Sequence, residues 1–209
     1  MTASPMLISQ IKEWQDLAGA ALGGLISLAV ALIVAYIPIR REDLTAAMLV
    51  ISNLVPARVR QSTLRALAEE RKVSDDDYPL WLSEKLLQSR PKLTPTYDAA
   101  AMRVMATDVH IASHLATFDL TLREIDEKLG RLSEDFQATR KGQPALRSLE
   151  ATRADARLLV EELDRLAEHA HCAERLITSL ILSRARVWNK LRRKFRMTPE
   201  ERMCLMTLK

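Results

Sequence analysis

From Leu17 to Ile39 the chain carries no charged residue, and polar residues resume at once on both sides with Asp16 and Arg40-Arg41. A helix needs about 20 apolar residues to cross a bilayer core. Residues 17–39 are therefore expected to be a transmembrane anchor, with residues 1–16 a short tail before it and residues 43–209 a separate helical domain. Trp14 and Tyr36 fall near the two ends of the run, where amphipathic rings favour the membrane interfaces. The run is too long for the apolar part of a secretory signal, its start is not basic, and Tyr-Ile-Pro-Ile-Arg-Arg is a poor cleavage site.

Beyond the anchor the apolar positions become periodic. Residues 43–55 read as an apolar helix that Pro56 breaks or kinks. Residues 57–72 continue as a helix with polar and basic sides, and 73–79 form a charged, Pro-bounded turn. Residues 80–90 make a short amphipathic helix with Leu82, Leu86 and Leu87 on one side.

Two long helices follow, at about 97–139 and 144–196, linked by Lys141-Gly142-Gln143-Pro144. The first repeats apolar residues at steps of three and four: Ile111, Leu115, Phe118, Leu122, Ile125, Leu129, Leu132 and Phe136. The second runs through Leu149, Thr152, Ala156, Leu159, Leu163, Leu166, Ala170, Ala173, Ile177 and Leu180. Two heptad seams joined by a short link predict a long antiparallel coiled-coil hairpin over residues 97–196. A second stripe on the first helix, Met102, Met105, Val109, Ala112 and Ala116, needs cover, for which the helices of 43–90 are available. Thr198-Pro199-Glu200-Glu201 reads as the cap and first turn of a short terminal helix carrying Met203, Leu205, Met206 and Leu208. The fold class is all-α: a single N-terminal transmembrane helix, then a helical bundle with a long antiparallel coiled-coil hairpin.

Composition narrows the function classes. Of five glycines, Gly19, Gly23 and Gly24 lie in the anchor, leaving Gly130 and Gly142 for the domain. Phosphate-cradling loops and tight hairpin turns need more glycine than that. The net charge of +4 is mildly basic and does not call for nucleic acid as a partner. Cys172 and Cys204 are the only cysteines; they make no disulfide framework and fit a reducing compartment. Arg40 and Arg41 against Lys12 give a slight excess of basic residues after the anchor. That places the N-terminus outside and the domain in the cytoplasm, on a single-pass protein of the inner (cell) membrane.

Three groups of residues are candidates for function. Gly19, Gly23, Ser27, Ala31 and Ala35 recur every fourth residue, and small residues so spaced let two membrane helices approach closely. This stripe predicts a homo-oligomer, although Gly and Ala are common in such helices anyway. A turn near Gly142 puts Lys128 opposite Asp155 and His114 opposite His169. His110 lies one turn from His114 and Cys172 one turn from His169. His-x3-His beside His-x2-Cys is ligand chemistry for zinc or a similar ion; pH-sensitive packing or ordinary surface and core positions explain the same residues. Finally, Arg184, Arg186, Lys190, Arg192, Arg193, Lys194 and Arg196 are interleaved with Trp188, Leu191 and Phe195 on one helical face, the composition of a helix that contacts anionic lipid; a solvated helix end, or a helix that binds a partner or nucleic acid, has the same composition.

No other catalytic constellation stands out, and no cofactor is called for besides the zinc option. The function expected is that of a membrane-anchored, non-catalytic scaffold or regulatory protein presenting a coiled-coil surface to a cytoplasmic partner protein. Two other classes remain open. One is a phage-type membrane-spanning lysis protein, which needs the opposite orientation. The other is a metal-dependent sensor or enzyme using His110, His114, His169 and Cys172.

Overall fold

The computed structural model describes residues 5–140, 148–183, 188, 189, 191, 192 and 198–206. Every element among them is helical: α1 (Pro5–Glu70), α2 (Tyr78–Gln88), α3 (Tyr97–Met105), α4 (Val109–Arg140), α5 (Leu149–Ile177), a π-helical turn (Thr178–Leu182) and α6 (Pro199–Met206). The chain divides into two compact units, Met1–Asp43 and Leu44–Lys209.

In the first unit, α1 is long and apolar enough to cross a membrane, and none of its apolar window is buried. The helical segments expected on either side of Pro56 are one helix, unbroken at Pro56 and running to Glu70. Pro56 lacks an N–H, which frees the Ser52 carbonyl. Both residues are exposed, so water can satisfy that carbonyl and the helix continues. It ends in a Schellman arrangement: the Val73 N–H bonds the Ala68 carbonyl at 3.0 Å and the Lys72 N–H bonds that of Glu69 at 3.1 Å. Lys72 there takes a left-handed φ of 54°.

In the second unit, Ala46, Ala47, Val50, Leu54 and Ala57 of α1 join Leu82 and Leu86 of α2 and Tyr97, Ala101 and Val104 of α3 in one core with the apolar faces of α4 and α5. Each fully buried Leu contributes about 1.5–3 kcal/mol relative to exposure. Polar bonds fix the rim. Asp164 of α5 accepts from Gln61 Nε2 at 2.7 Å and from Arg65 Nη2 at 2.5 Å. Asn53 clamps the α2–α3 connector, accepting from the Thr94 N–H at 2.9 Å and donating to Thr94 Oγ1 at 3.1 Å.

The long helix expected from residue 97 is two helices. Asp108 caps α4, its Oδ1 accepting from the His110 N–H at 2.9 Å, and Thr107 Oγ1 bonds back to the Val104 carbonyl at 2.7 Å. Thr-Asp is a stop-and-start signal because both side chains compete for backbone groups. The second long helix also ends early. Its π-turn closes with the Ser183 N–H on the Thr178 carbonyl at 3.0 Å, and Ser183 is extended. Asn189 Nδ2 then donates to the Ser179 carbonyl at 2.9 Å and to Ser183 Oγ at 3.1 Å, satisfying groups the helix end leaves open.

α4 and α5 run antiparallel: Asp135 bonds Thr152, Lys128 pairs with Glu162, and His114 meets His169. Ile111, Leu115, Phe118, Ile125, Leu129 and Leu132 are buried against Ala156, Leu159, Leu163, Leu166, Ala170, Ala173, Ile177 and Leu180. Leu149, placed in this seam by its spacing, is instead exposed. The expected linker, residues 141–144, lies outside the described residues.

Candidate functional site

The polar centre of the domain is built where α4, α5 and α6 meet. α6 begins with the reciprocal cap its sequence spells: the Glu201 N–H donates to Thr198 Oγ1 at 3.2 Å, and the Thr198 N–H donates to Glu201 Oε2 at 2.9 Å. Pro199 opens the first turn, where its missing N–H costs nothing. Glu201 is buried and also holds Arg192 at 3.3 Å. Arg175 of α5 pairs with Glu200. These contacts turn Glu201 and Cys204 inward, while Met203 and Met206 are exposed. Glu201 and Cys204 thus lie on the face of α6 that meets α5.

Cys172 of α5 and Cys204 of α6 are joined by a disulfide, their Cα atoms 5.3 Å apart. Both are buried. The bond closes a loop across a sequence separation of 32, and a crosslink of that span contributes about 2–4 kcal/mol by restricting the unfolded chain. Reading the two thiols as isolated is therefore corrected: far apart in sequence, they are brought together by the return of α6 onto α5.

His114 is fully buried and His169 nearly so. Their Nδ1 atoms are 2.9 Å apart, and His114 Nε2 is 2.7 Å from the Cys204 carbonyl oxygen. A carbonyl only accepts, so His114 Nε2 carries the hydrogen. In the neutral ring His114 Nδ1 is then an acceptor, and His169 Nδ1–H donates to it. Burial holds both imidazoles below the usual histidine range. For His114 the Cys204 carbonyl opposes this and neighbouring His169 and His110 reinforce it; for His169 nearby Arg165 reinforces it.

The four residues expected to form a metal site are only partly brought together. Cys172 Sγ is in the disulfide and is not a thiolate, and both ring nitrogens of His114 are taken up in hydrogen bonds. His110 is half-buried in the first turn of α4, and among the described residues no three His, Cys, Asp or Glu side chains converge as ligands. Nothing in the sequence marked the Cys204 carbonyl as the partner of His114, because backbone groups leave no residue-type signal. His171, Glu174 and Arg175 line an open cleft of about 530 Å³ beside α6.

Lys128 reaches Glu162 at 3.6 Å, two turns along α5 from Asp155. Helical side chains lean toward their own N-terminus, which in an antiparallel pair carries Lys128 toward higher numbers on α5. Of the basic stretch, Trp188 and Leu191 are exposed, while Arg192 is turned to Glu201. Arg184, Arg186, Lys190, Arg193, Lys194, Phe195 and Arg196 lie outside the described residues. In the apolar part of α1, a Cβ added at Gly23 or Gly24 would meet no atom within 4 Å; Ser27 and Ala31 are exposed, and the surroundings of Gly19 lie outside the described residues. Comparison with protein-family models, with curated proteins and with solved structures finds no match to this chain.

Proposed function

We propose that this chain is a membrane-anchored, non-catalytic scaffold or regulatory protein whose helical domain presents a surface of α3 and α4 to a partner protein. The supporting observation is the exposure of Met102 (71%), Val109 (70%) and Leu120 (58%). Met102 and Val109 belong to the apolar stripe that the helices of 43–90 were expected to cover. Exposed apolar side chains of this size gain about 25 cal/mol per Å² when a partner removes them from water.

Two further contacts belong to this reading. The stripe Gly19, Gly23, Ser27 and Ala31 joins two anchors in the bilayer, and the basic stretch 184–196, with Trp188 and Leu191 exposed, rests on anionic headgroups. The charges flanking the anchor favour a cytoplasmic domain and partner by one basic residue. The disulfide favours the opposite side. It thereby also supports a second reading, the membrane-spanning lysis protein, under which induced expression of the full chain would clear a bacterial culture.

Photocrosslinking in intact membranes tests the partner surface. A photoreactive residue at Val109 or Leu120 is expected to give an adduct of one defined size, with none from exposed Arg153 on α5. Equal labelling from all three positions, or from none, contradicts the reading.

A further inference from the structure

The disulfide carries an inference about where this domain matures. We infer that Cys172 and Cys204 are a site of oxidative modification that locks α6 permanently onto α5, and that the helical domain therefore folds on the oxidising side of its membrane. The anchor reading enters only in placing a membrane beside the domain.

The chemistry is thiol–disulfide exchange. One cysteine thiolate attacks a disulfide-bearing oxidant, forming a mixed disulfide and releasing one oxidant thiol. The second cysteine, after losing its proton, attacks the chain's own sulfur in that mixed disulfide and expels the second oxidant thiolate, which takes up a proton. Two thiols of the chain become one disulfide, and one disulfide of the oxidant becomes two thiols.

Cytosolic disulfides are rare and mostly transient, serving catalysis or sensing. Sensor cysteines are exposed, so that oxidant and reductant reach them. Here both residues are buried, with relative exposures of 1% and 0%. Reduction would require α6 to lift. Several contacts oppose that: the His114 Nε2–H bond to the Cys204 carbonyl at 2.7 Å, the Arg175–Glu200 ion pair, and the Arg192–Glu201 pair at 3.3 Å. A bond so enclosed suits a permanent crosslink, which persists where the surroundings are oxidising. Against this stands only the slight charge bias of Arg40 and Arg41 over Lys12, and residues farther into a long domain count little for orientation.

The test uses the unaltered full-length chain, expressed in bacteria with an oxidising periplasm. Cells are quenched in acid, the protein is denatured, and free thiols are labelled with a maleimide-polyethylene glycol before electrophoresis. The expected result is an unshifted monomer without reductant and two adducts after reduction. Two adducts without reductant would overturn the inference, and so would a disulfide-linked dimer. Loss of the anchor reading would show separately, as release of the chain from membranes by alkaline carbonate.

Discussion

The Nδ1 atoms of His114 and His169 lie 2.9 Å apart with one hydrogen between them, and that contact accepts one added proton but not two. A first proton on His114 can be held if His169 turns acceptor at Nδ1 and moves its own hydrogen to Nε2. A second leaves two donors facing each other at hydrogen-bond distance, in a site that burial already makes hostile to charge.

The pH dependence follows with a definite sign. Burial lowers both folded-state values from an ordinary histidine value of 6.5. The unfolded chain therefore binds more protons just below that pH, and stability rises with pH there. The contribution is complete above 6.5 and is lost as pH falls toward the depressed folded values. The full-length chain in detergent is expected to melt at lower temperature at about pH 5.5 than at about pH 7.5, a window above the ordinary carboxylate range. His169→Asn keeps a donor near Nδ1 and removes one titrating group, so its melting temperature should change less with pH. An unchanged profile in that variant contradicts the assignment.

Lys72 closes α1 in the left-handed region, with φ of 54°, where a side chain costs about 1–2 kcal/mol and glycine costs little. Lys72→Gly is expected to stabilise the domain by about 0.5–1 kcal/mol after the entropy of the unfolded glycine is counted. Arg71→Gly, one position earlier, should not stabilise. Denaturant midpoints at unchanged slope measure both.

Tyr97 is buried against Phe118, and its hydroxyl has no hydrogen-bond partner among the described residues. An unsatisfied buried hydroxyl costs about 1–3 kcal/mol. Tyr97→Phe should therefore be neutral or stabilising by about 1 kcal/mol on the same hydroxyl-desolvation grounds, read from the denaturation midpoint. Destabilisation would mean that the hydroxyl is bonded.

A Cβ added at Gly23 meets no atom within 4 Å. A larger side chain there therefore starts into open space, and an effect on association points to a second copy. Gly23→Ile is expected to lower the signal in a membrane two-hybrid assay without changing the amount of protein in membranes. Equal signal would reduce the small-residue stripe to composition.

The sequence made the long apolar helix visible because a charge-free run is a property of residues alone. It also made α6 visible, since Thr198, Pro199 and Glu201 satisfy their own helix end locally. The facing of His114 and His169 followed from placing a turn near Gly142, which fixed the register of two antiparallel helices. What was not legible depended on return of the chain from a distance: the Cys172–Cys204 bond and the Cys204 carbonyl on His114. The Lys128–Glu162 pair was missed because the register ignored the lean of helical side chains. The breaks at Asp108 and Ser183 were missed for a different reason. Side-chain bonds to the backbone end helices without interrupting apolar periodicity, as Asp108 and Asn189 do.

The scaffold reading depends on α1 holding the helical domain to a membrane. Alkaline carbonate extraction of membranes from cells making the full-length chain measures this directly. The expected result is that the chain stays in the membrane pellet, while a chain lacking residues 17–39 is recovered in the supernatant. Release of the full-length chain by carbonate would contradict the anchor and, with it, the scaffold reading.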